Sequence, residues 1–283
     1  LDDRHGEAGA LNNLGIALQE VRRFDEAVDA HTRAVTICRE LDDRHGEAGA
    51  LNNLGIALQE VRRFDEAIDA HTRAVTICRE LDDRHREGTA LDSLGIALRE
   101  VRRFDEAIDA HTRAVTIFRE LDDRHREGKA LDNLGAALRE VRRFDEAIDA
   151  HTQDLAICRE LDDRHGEGTA LDSLGAALQE VRRFDEAIDA HTRAATIFRE
   201  FDDRHGEAGA LNNLGIALQE MRRFDEAVDA HTRAVTIYRA LDDRHREGTA
   251  LDSLGAALRE VGRFRWVRRA WQVIARAFQV FPR

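Results

Sequence analysis

Leu-Asp-Asp-Arg-His begins at residues 1, 41, 81, 121, 161 and 241, and Phe-Asp-Asp-Arg-His begins at 201. The 283-residue chain is therefore written with a period of 40 residues. A fixed period of this size leaves few folds open. Each unit is one supersecondary element that cannot bury its apolar face alone, so stacked neighbours must supply the core. No linker or low-complexity segment interrupts the array. The chain reads as one domain, 1–283, of seven units: 1–40, 41–80, 81–120, 121–160, 161–200, 201–240 and 241–283.

Each unit carries two helix-period patterns. Leu11, Leu14, Ala17, Leu18 and Val21 form one apolar stripe. Phe24, Ala27, Val28, His31, Ala34, Val35 and Cys38 follow i, i+3, i+4, i+7 spacing in the second half. Asp3 is placed to cap the first helix, and Glu7 suits its positive N-terminal end. Arg22-Arg23 marks the turn between the helices. No strand pattern occurs. Fourteen helices in antiparallel pairs make an all-α fold, an α-solenoid of seven helix-turn-helix units.

Several function classes drop out. The net charge of −13 argues against a nucleic-acid partner, which selects a basic surface. No run of 18 apolar residues and no signal peptide occurs, so a cytoplasmic location is expected. Cys38, Cys78 and Cys158 share a slot that elsewhere holds Phe118, Phe198 or Tyr238, which marks a packing position rather than a disulfide or metal site. The histidines sit in two slots, a junction slot (His5 to His245) and a second-helix slot (His31 to His231). Stacked helices lie about 10 Å apart, too far for equivalent histidines to share a metal. His31, on an apolar stripe, reads as a core residue. No glycine-rich phosphate loop or G-x-S-x-G motif is present. The Asp42-Asp43 pair reads as a helix end and a cap. No enzyme activity and no cofactor are expected.

Leu11-x-x-Leu14-Gly15-x-x-Leu18 followed by Ala27-x-x-x-His31-x-x-Ala34 resembles the tetratricopeptide repeat. The chain departs from that pattern at Leu11, Leu18 and His31, where aromatics are usual, at Arg39, where proline is usual, and in its longer period. Forty-residue units with an Asp-Asp-Arg junction are similar to those of Pins-type adaptors and kinesin light chains, and more so to actinobacterial arrays attached to signalling ATPases. The resemblance implies a right-handed superhelix whose first helices line a concave groove that binds peptide segments.

The eleven residues 10–20 recur in seven copies, and only some slots drift. On a helical wheel the drifting slots 9, 12, 13, 16 and 19 share an arc of about 120°, while Leu11, Leu14, Gly15, Ala17, Leu18 and Val21 fill the opposite side. The exposed second-helix face (Asp25, Glu26, Asp29, Thr32, Arg33, Thr36) barely changes, except at Gln153 and Ala156. Uniform drift would have touched both faces. The drifting arc is therefore the candidate peptide groove: Asn12, Asn13, Gln19, Asn52, Asn53, Gln59, Asp92, Ser93, Arg99, Lys129, Asp132, Asn133, Arg139, Asp172, Ser173, Gln179, Asn212, Asn213 and Gln219. Amides can pair with an extended backbone, and the guanidinium groups suit acidic residues. Ile16 and Ala136 stand where a chaperone-type carboxylate clamp needs asparagine, which argues against capture of a C-terminal carboxylate.

The seventh copy changes character. Where other copies read Arg-Arg-Phe-Asp-Glu-Ala, it reads Gly262-Arg263-Phe264-Arg265-Trp266-Val267 after Val261, and no acidic residue occurs beyond Glu260. Gly262 suits a turn. A last helix over 263–283 is expected to pack Phe264, Val267, Trp271, Ile274 and Phe278 on its own unit. Trp266, Val273, Ala277, Val280 and Phe281 are left as a second apolar side for self-association or a partner. Contact of this helix with an anionic membrane ranks lower. The first unit has no capping variant, which suggests truncation or end-to-end stacking. The expected function is a protein-binding scaffold. Its alternatives are a self-assembling structural protein, as a dimer or filament, and the sensor domain of a larger signalling ATPase.

Overall fold

A computed structural model describes residues 2–279, with side chains placed for residues 4–263. Among the described residues it holds thirteen α-helices and no strand. They are α1 (Asp2–Glu20), α2 (Phe24–Glu40), α3 (Arg44–Glu60), α4 (Phe64–Glu80), α5 (Arg84–Glu100), α6 (Phe104–Glu120), α7 (Arg124–Glu140), α8 (Phe144–Glu160), α9 (Arg164–Glu180), α10 (Phe184–Glu200), α11 (Arg204–Glu220), α12 (Phe224–Ala240) and α13 (Arg244–Gln279). The chain forms two compact units, Leu1–Ile157 and Cys158–Arg283. Within each, a first helix packs on its own second helix and on the first helix of the next repeat, as an α-solenoid requires. Among the described residues no helix is long and apolar enough to cross a membrane.

Two junctions alternate, and both are Schellman ends. After α1, the N–H of Arg23 donates to Leu18 C=O (2.8 Å) and that of Arg22 to Gln19 C=O (2.9 Å). After α2, the N–H of Asp43 donates to Cys38 C=O (2.8 Å) and that of Asp42 to Arg39 C=O (3.2 Å). Each end places one residue in the left-handed region, Arg22 at φ 61° and Asp42 at φ 55°. The next helix then starts on a side chain. Asp43 Oδ1 accepts from the Gly46 N–H at 2.9 Å, the expected cap, and Asp83, Asp163 and Asp203 do the same in their repeats. In the first repeat α1 already begins at Asp2, so Asp3 is not the cap there. The second helices α2, α4, α6, α10 and α12 have no side-chain cap. Instead Arg23 forms a two-pronged pair with Glu26, Nε to Oε1 at 2.6 Å and Nη2 to Oε2 at 2.5 Å. These hydrogen bonds hold the Glu26 carboxyl below its ordinary range.

The core is small-residue packing. Ala27, Ala67, Ala107, Ala147, Ala187 and Ala227 are fully buried where the two helices of a repeat meet. His31, His71, His111, His151, His191 and His231 are 0 % exposed, which confirms the second-helix histidine as a core residue. Each imidazole lies on the glycine of its own first helix. A Cβ added at Gly15, Gly95 or Gly215 would stand 2.5 Å from the ring of His31, His111 or His231. Here glycine is required by close approach rather than by its backbone freedom.

The seventh repeat does not fold into the expected hairpin. α13 runs without a turn from Arg244 to Gln279, through Gly262, so thirteen helices replace fourteen. Two physical reasons are visible. Repeat six starts its second helix on the Arg223–Glu226 pair (2.7 and 2.6 Å), with Asp225 adding acid in the first turn. The seventh copy has Arg265 and Trp266 in those slots, and Arg263 donates backwards to Glu260 (3.0 Å) within the same helix. In addition, Val267, Trp271 and Ile274 stand where repeat six has Ala227, His231 and Ala234, all fully buried. Larger groups at closest approach would overpack the hairpin. The expected packing of Phe264, Val267, Trp271, Ile274 and Phe278 on their own first helix concerns side chains outside the described residues. Trp266, Val273 and Ala277 lie on the backbone of α13 with side chains outside the described residues, and Val280 and Phe281 lie outside the described residues altogether.

Candidate binding face of the first helices

The drifting slots are where a partner was expected, and they prove to be wired into the fold. Slot 12 faces the buried histidine. Asn12 Oδ1 lies 3.0 Å from His31 Nδ1, Asn52 3.1 Å from His71 and Asn212 3.0 Å from His231. Asp92 and Asp172 make the same contact with His111 (2.8 Å) and His191 (2.7 Å), and Asp132 Oδ1 lies 3.3 Å from His151 Nδ1 without hydrogen-bond geometry. Slot 13 reaches back one repeat: Asn53 Nδ2 donates to Asn12 Oδ1 (3.1 Å), Asn133 to Asp92 (3.2 Å) and Asn213 to Asp172 (3.3 Å). Slot 19 reaches forward. Gln59 donates to the Ser93 carbonyl (3.1 Å), Gln179 to that of Asn213 (2.9 Å) and Gln219 to that of Ser253 (3.2 Å). Gln19 reaches the Asn53 carbonyl at 3.5 Å.

These contacts assign the histidine tautomer. The amide nitrogens of Gln59, Gln179 and Gln219 also lie 3.2, 2.9 and 2.8 Å from Nε2 of His71, His191 and His231. An amide NH2 can only donate, so Nε2 accepts and Nδ1 carries the proton, which it gives to Asn52, Asp172 or Asn212. Burial lowers the pKa of His31, His71 and His231 to about 4 and keeps these rings neutral. In repeats three and four Arg99 and Arg139 replace the glutamine, and both have aspartate in slot 12. Arg139 Nε is buried with no hydrogen-bond partner among the described residues. Slots 12 and 19 therefore border the same imidazole, and repeat five combines the aspartate Asp172 with the glutamine Gln179.

What remains open is slot 9 with its neighbours. A Cβ added at Gly9 or Gly49 would meet nothing within 4 Å, and Lys129 is exposed. Ser93 and Ser173 are half-buried. Two hollows lie along this face of the first unit. One, of about 340 Å³, is bounded by His5, Gly9, Asn12, Cys38, His45 and Arg86. The other, of about 260 Å³, is bounded by Gly49, Asn52, Cys78, His85, Arg86 and Arg126. Among the lining residues, Asn12, Asn52 and Asn53 stand among the sequence-derived groove residues, with Gly9 and Gly49 in the drifting slot 9. The junction histidines, Arg86, Arg126 and the cysteines were missed, because they lie in slots 5, 6 and 38, outside the compared window. The signal was present: slot 6 alternates between glycine and arginine, and slot 38 between cysteine and an aromatic.

The slot-38 residue differs between the two hollows and the next repeat. In repeat three Phe118 is buried, its ring edge-on to His85 with centroids 6.3 Å apart, and ring carbons stand 3.0 Å from a Cβ added at Gly88. In repeats one and two, the cysteine is shorter and slot 8 is Ala8 or Ala48 instead of glycine.

Comparisons with known proteins agree with this architecture. No curated protein is significantly similar to the chain in sequence. Among solved structures, BtubC (BKLC) from P. vanneervenii matches with a TM-score of 0.69 at 19% identity, covering 77% of this chain and 92% of that one. The signal transduction ATPase with numerous domains PH0952 from Pyrococcus horikoshii, which has a tetratricopeptide repeat sensor, matches with a TM-score of 0.78 at 14% identity over 96% of this chain and 43% of that one. A Rap protein complexed with competence and sporulation factor matches with a TM-score of 0.61 at 16% identity over 91% of this chain and 76% of that one. At these identities the likeness is one of fold. The family model described as tetratricopeptide repeat matches residues 6–80, 46–120, 126–200 and 206–265. Repeated helix pairs, small residues at their crossing and a matching model over most of its length place this chain in the tetratricopeptide repeat family.

Proposed function

We propose that the chain is a non-catalytic protein-interaction scaffold that holds an extended segment of a partner protein against the first helices. The observation that carries this reading is the contrast between two exposed faces. Slot 9 and its neighbours differ from repeat to repeat and border hollows in the first unit, whereas the exposed face of the second helices is nearly invariant. The groove of a tetratricopeptide superhelix and the Rap protein's complex with competence and sporulation factor support the same reading. The amides of slots 12, 13 and 19 act in it mainly as braces. They fix the spacing of neighbouring first helices rather than pairing with the ligand. Three buried cysteines, none in a disulfide, fit a reducing compartment such as the cytoplasm.

The test uses a partner captured from the source cell. Gly49→Arg places a long side chain into open space on the first-helix face, so the fold should persist and binding should fall at least tenfold. Thr72→Arg, on the exposed face of α4, should leave binding unchanged. Equal loss from both, or from neither, would overturn the assignment of the face.

A second reading is self-association. Leu14 on α1 and Val21 directly after it are 51 % and 63 % exposed, and on α13 Leu251 and Leu258 are 42 % and 51 % exposed. Exposed apolar stripes of this kind mark interfaces. Light scattering should give a monomer mass for Leu251→Glu/Leu258→Glu if α13 forms the contact. An unchanged oligomer would exclude it. The likeness to PH0952 favours the further role of sensor in a larger ATPase, and this chain spans under half of that protein.

A further inference from the structure

We infer that repeats one and two hold the primary anchor points of the ligand, and that the ligand presents two apolar side chains three residues apart with a carboxylate between them. This rests on the scaffold reading and specifies its partner.

The two hollows occur in consecutive repeats and are alike. Each has a small sulfur-bearing floor, Cys38 or Cys78, and a side opened by Gly9 or Gly49. Neighbouring helices in contact stand about 10 Å apart. A chain in the polyproline II conformation advances about 3.1 Å per residue with three residues per turn, so residues i and i+3 lie on one face about 9 Å apart and reach the two floors. Cys38 and Cys78 are buried, and desolvation pushes both thiols up, Cys78 to about 11. They offer the ligand an uncharged, polarisable surface. Arg86 stands on the rim of both hollows. Its Nη1 is 3.3 Å from Asp83 Oδ2 and 3.3 Å from His45 Nδ1. A guanidinium carries five N–H donors, so others stay free to meet a carboxylate lying between the anchors. Asp43, the acidic group bordering the first hollow, is engaged as a helix cap. In repeat three the same slot holds Phe118, buried and edge-on to His85.

The chain itself supplies the variants. Ala8→Gly/Cys38→Phe and Ala48→Gly/Cys78→Phe copy the Gly88/Phe118 pair of repeat three, so they close the hollows with a combination the fold already uses. Arg86→Gly copies Gly6 and Gly46. A display library of random dodecapeptides is panned on the full chain, and a synthetic peptide of the enriched consensus is titrated by fluorescence anisotropy. Circular dichroism checks each variant's helix content. The expected consensus has apolar residues at i and i+3 and an acidic residue between them. Each filled variant should weaken it at least tenfold, and Arg86→Gly should weaken it less and remove the acidic preference. Peptides that bind all variants equally would overturn the anchor sites while leaving the scaffold reading intact. A library with no enrichment on the full chain would overturn both.

Discussion

The sixth and seventh repeats begin with first helices that share Ala210/Ala250, Leu211/Leu251, Leu214/Leu254, Gly215/Gly255 and Leu218/Leu258, and they end differently. α11 is covered by α12, and Leu218 is 3 % exposed within a cluster with Ala227, Ala230 and Ala257. α13 packs on α11 and α12, but among the described residues no helix covers its other side, and Leu258, in the slot of Leu218, is half exposed. The turn residues invert the usual rule. Repeat six turns at Arg222 with φ 59°, although arginine meets a steric penalty there, while repeat seven has Gly262 and does not turn. A turn of this kind is decided by the segment on its C-terminal side. Acidic groups that start a new helix and small residues that let it lie back make the hairpin, and a glycine alone does not.

The largest expected contrast is in the core. Leu218→Ala should cost about 2–5 kcal/mol, whereas Leu258→Ala should fall within about 0.5 kcal/mol of zero. Urea denaturation of the two variants measures this, and similar losses would mean that α13 is covered. Acid comes next. His231 is neutral when folded, with a pKa near 4 against about 6.5 unfolded, so the unfolded chain binds the proton first. Its contribution is whole above about pH 6.5 and is lost as pH falls towards 4, on the order of 3 kcal/mol at the limit. Asn212→Asp should reduce that acid sensitivity by placing a carboxylate beside the imidazole, as Asp172 lies beside His191. A pH series of melting temperatures that is identical for the two proteins would contradict this.

Glycine sharpens the comparison further. Gly215→Ala drives a methyl into the His231 ring and should cost about 1–3 kcal/mol. Gly255→Ala meets only Arg259 Nη1 at 3.7 Å and should stabilise α13 by up to about 1 kcal/mol. The smallest effects are at the turn. Arg222→Gly should gain about 0.4–1 kcal/mol by relieving a left-handed arginine, and Gly262→Ala should gain a similar amount because that residue is helical. Thermal melts of both variants check this, and a loss at Gly262 would indicate a turn there.

The period, the two helices per repeat, the junctions at Arg22 and Asp42, the capping aspartates and the buried histidine were legible in the sequence, because each is a local rule applied over and over. The candidate site was legible only in part. The wheel separates a constant arc from a drifting arc, but Leu14 and Val21 of the constant arc are exposed, while side chains in slots 12, 13 and 19 of the drifting arc contact the buried imidazole and the neighbouring repeat. A wheel shows direction and not distance, so a residue bracing the next helix looks the same as one waiting for a ligand. The hollows needed residues from three consecutive repeats, His5, Cys38, His45 and Arg86 among them, which no single-repeat window contains.

By itself the sequence determined the family, the all-α architecture and the two-helix plan of the first six repeats, since apolar spacing and turn chemistry are read within one unit. Only the tertiary structure decided which drifting side chains are engaged, where space is left open, and that the seventh hairpin does not close. Those outcomes depend on whether the volumes of side chains from neighbouring helices fit together across a contact, and one helix alone does not carry that information.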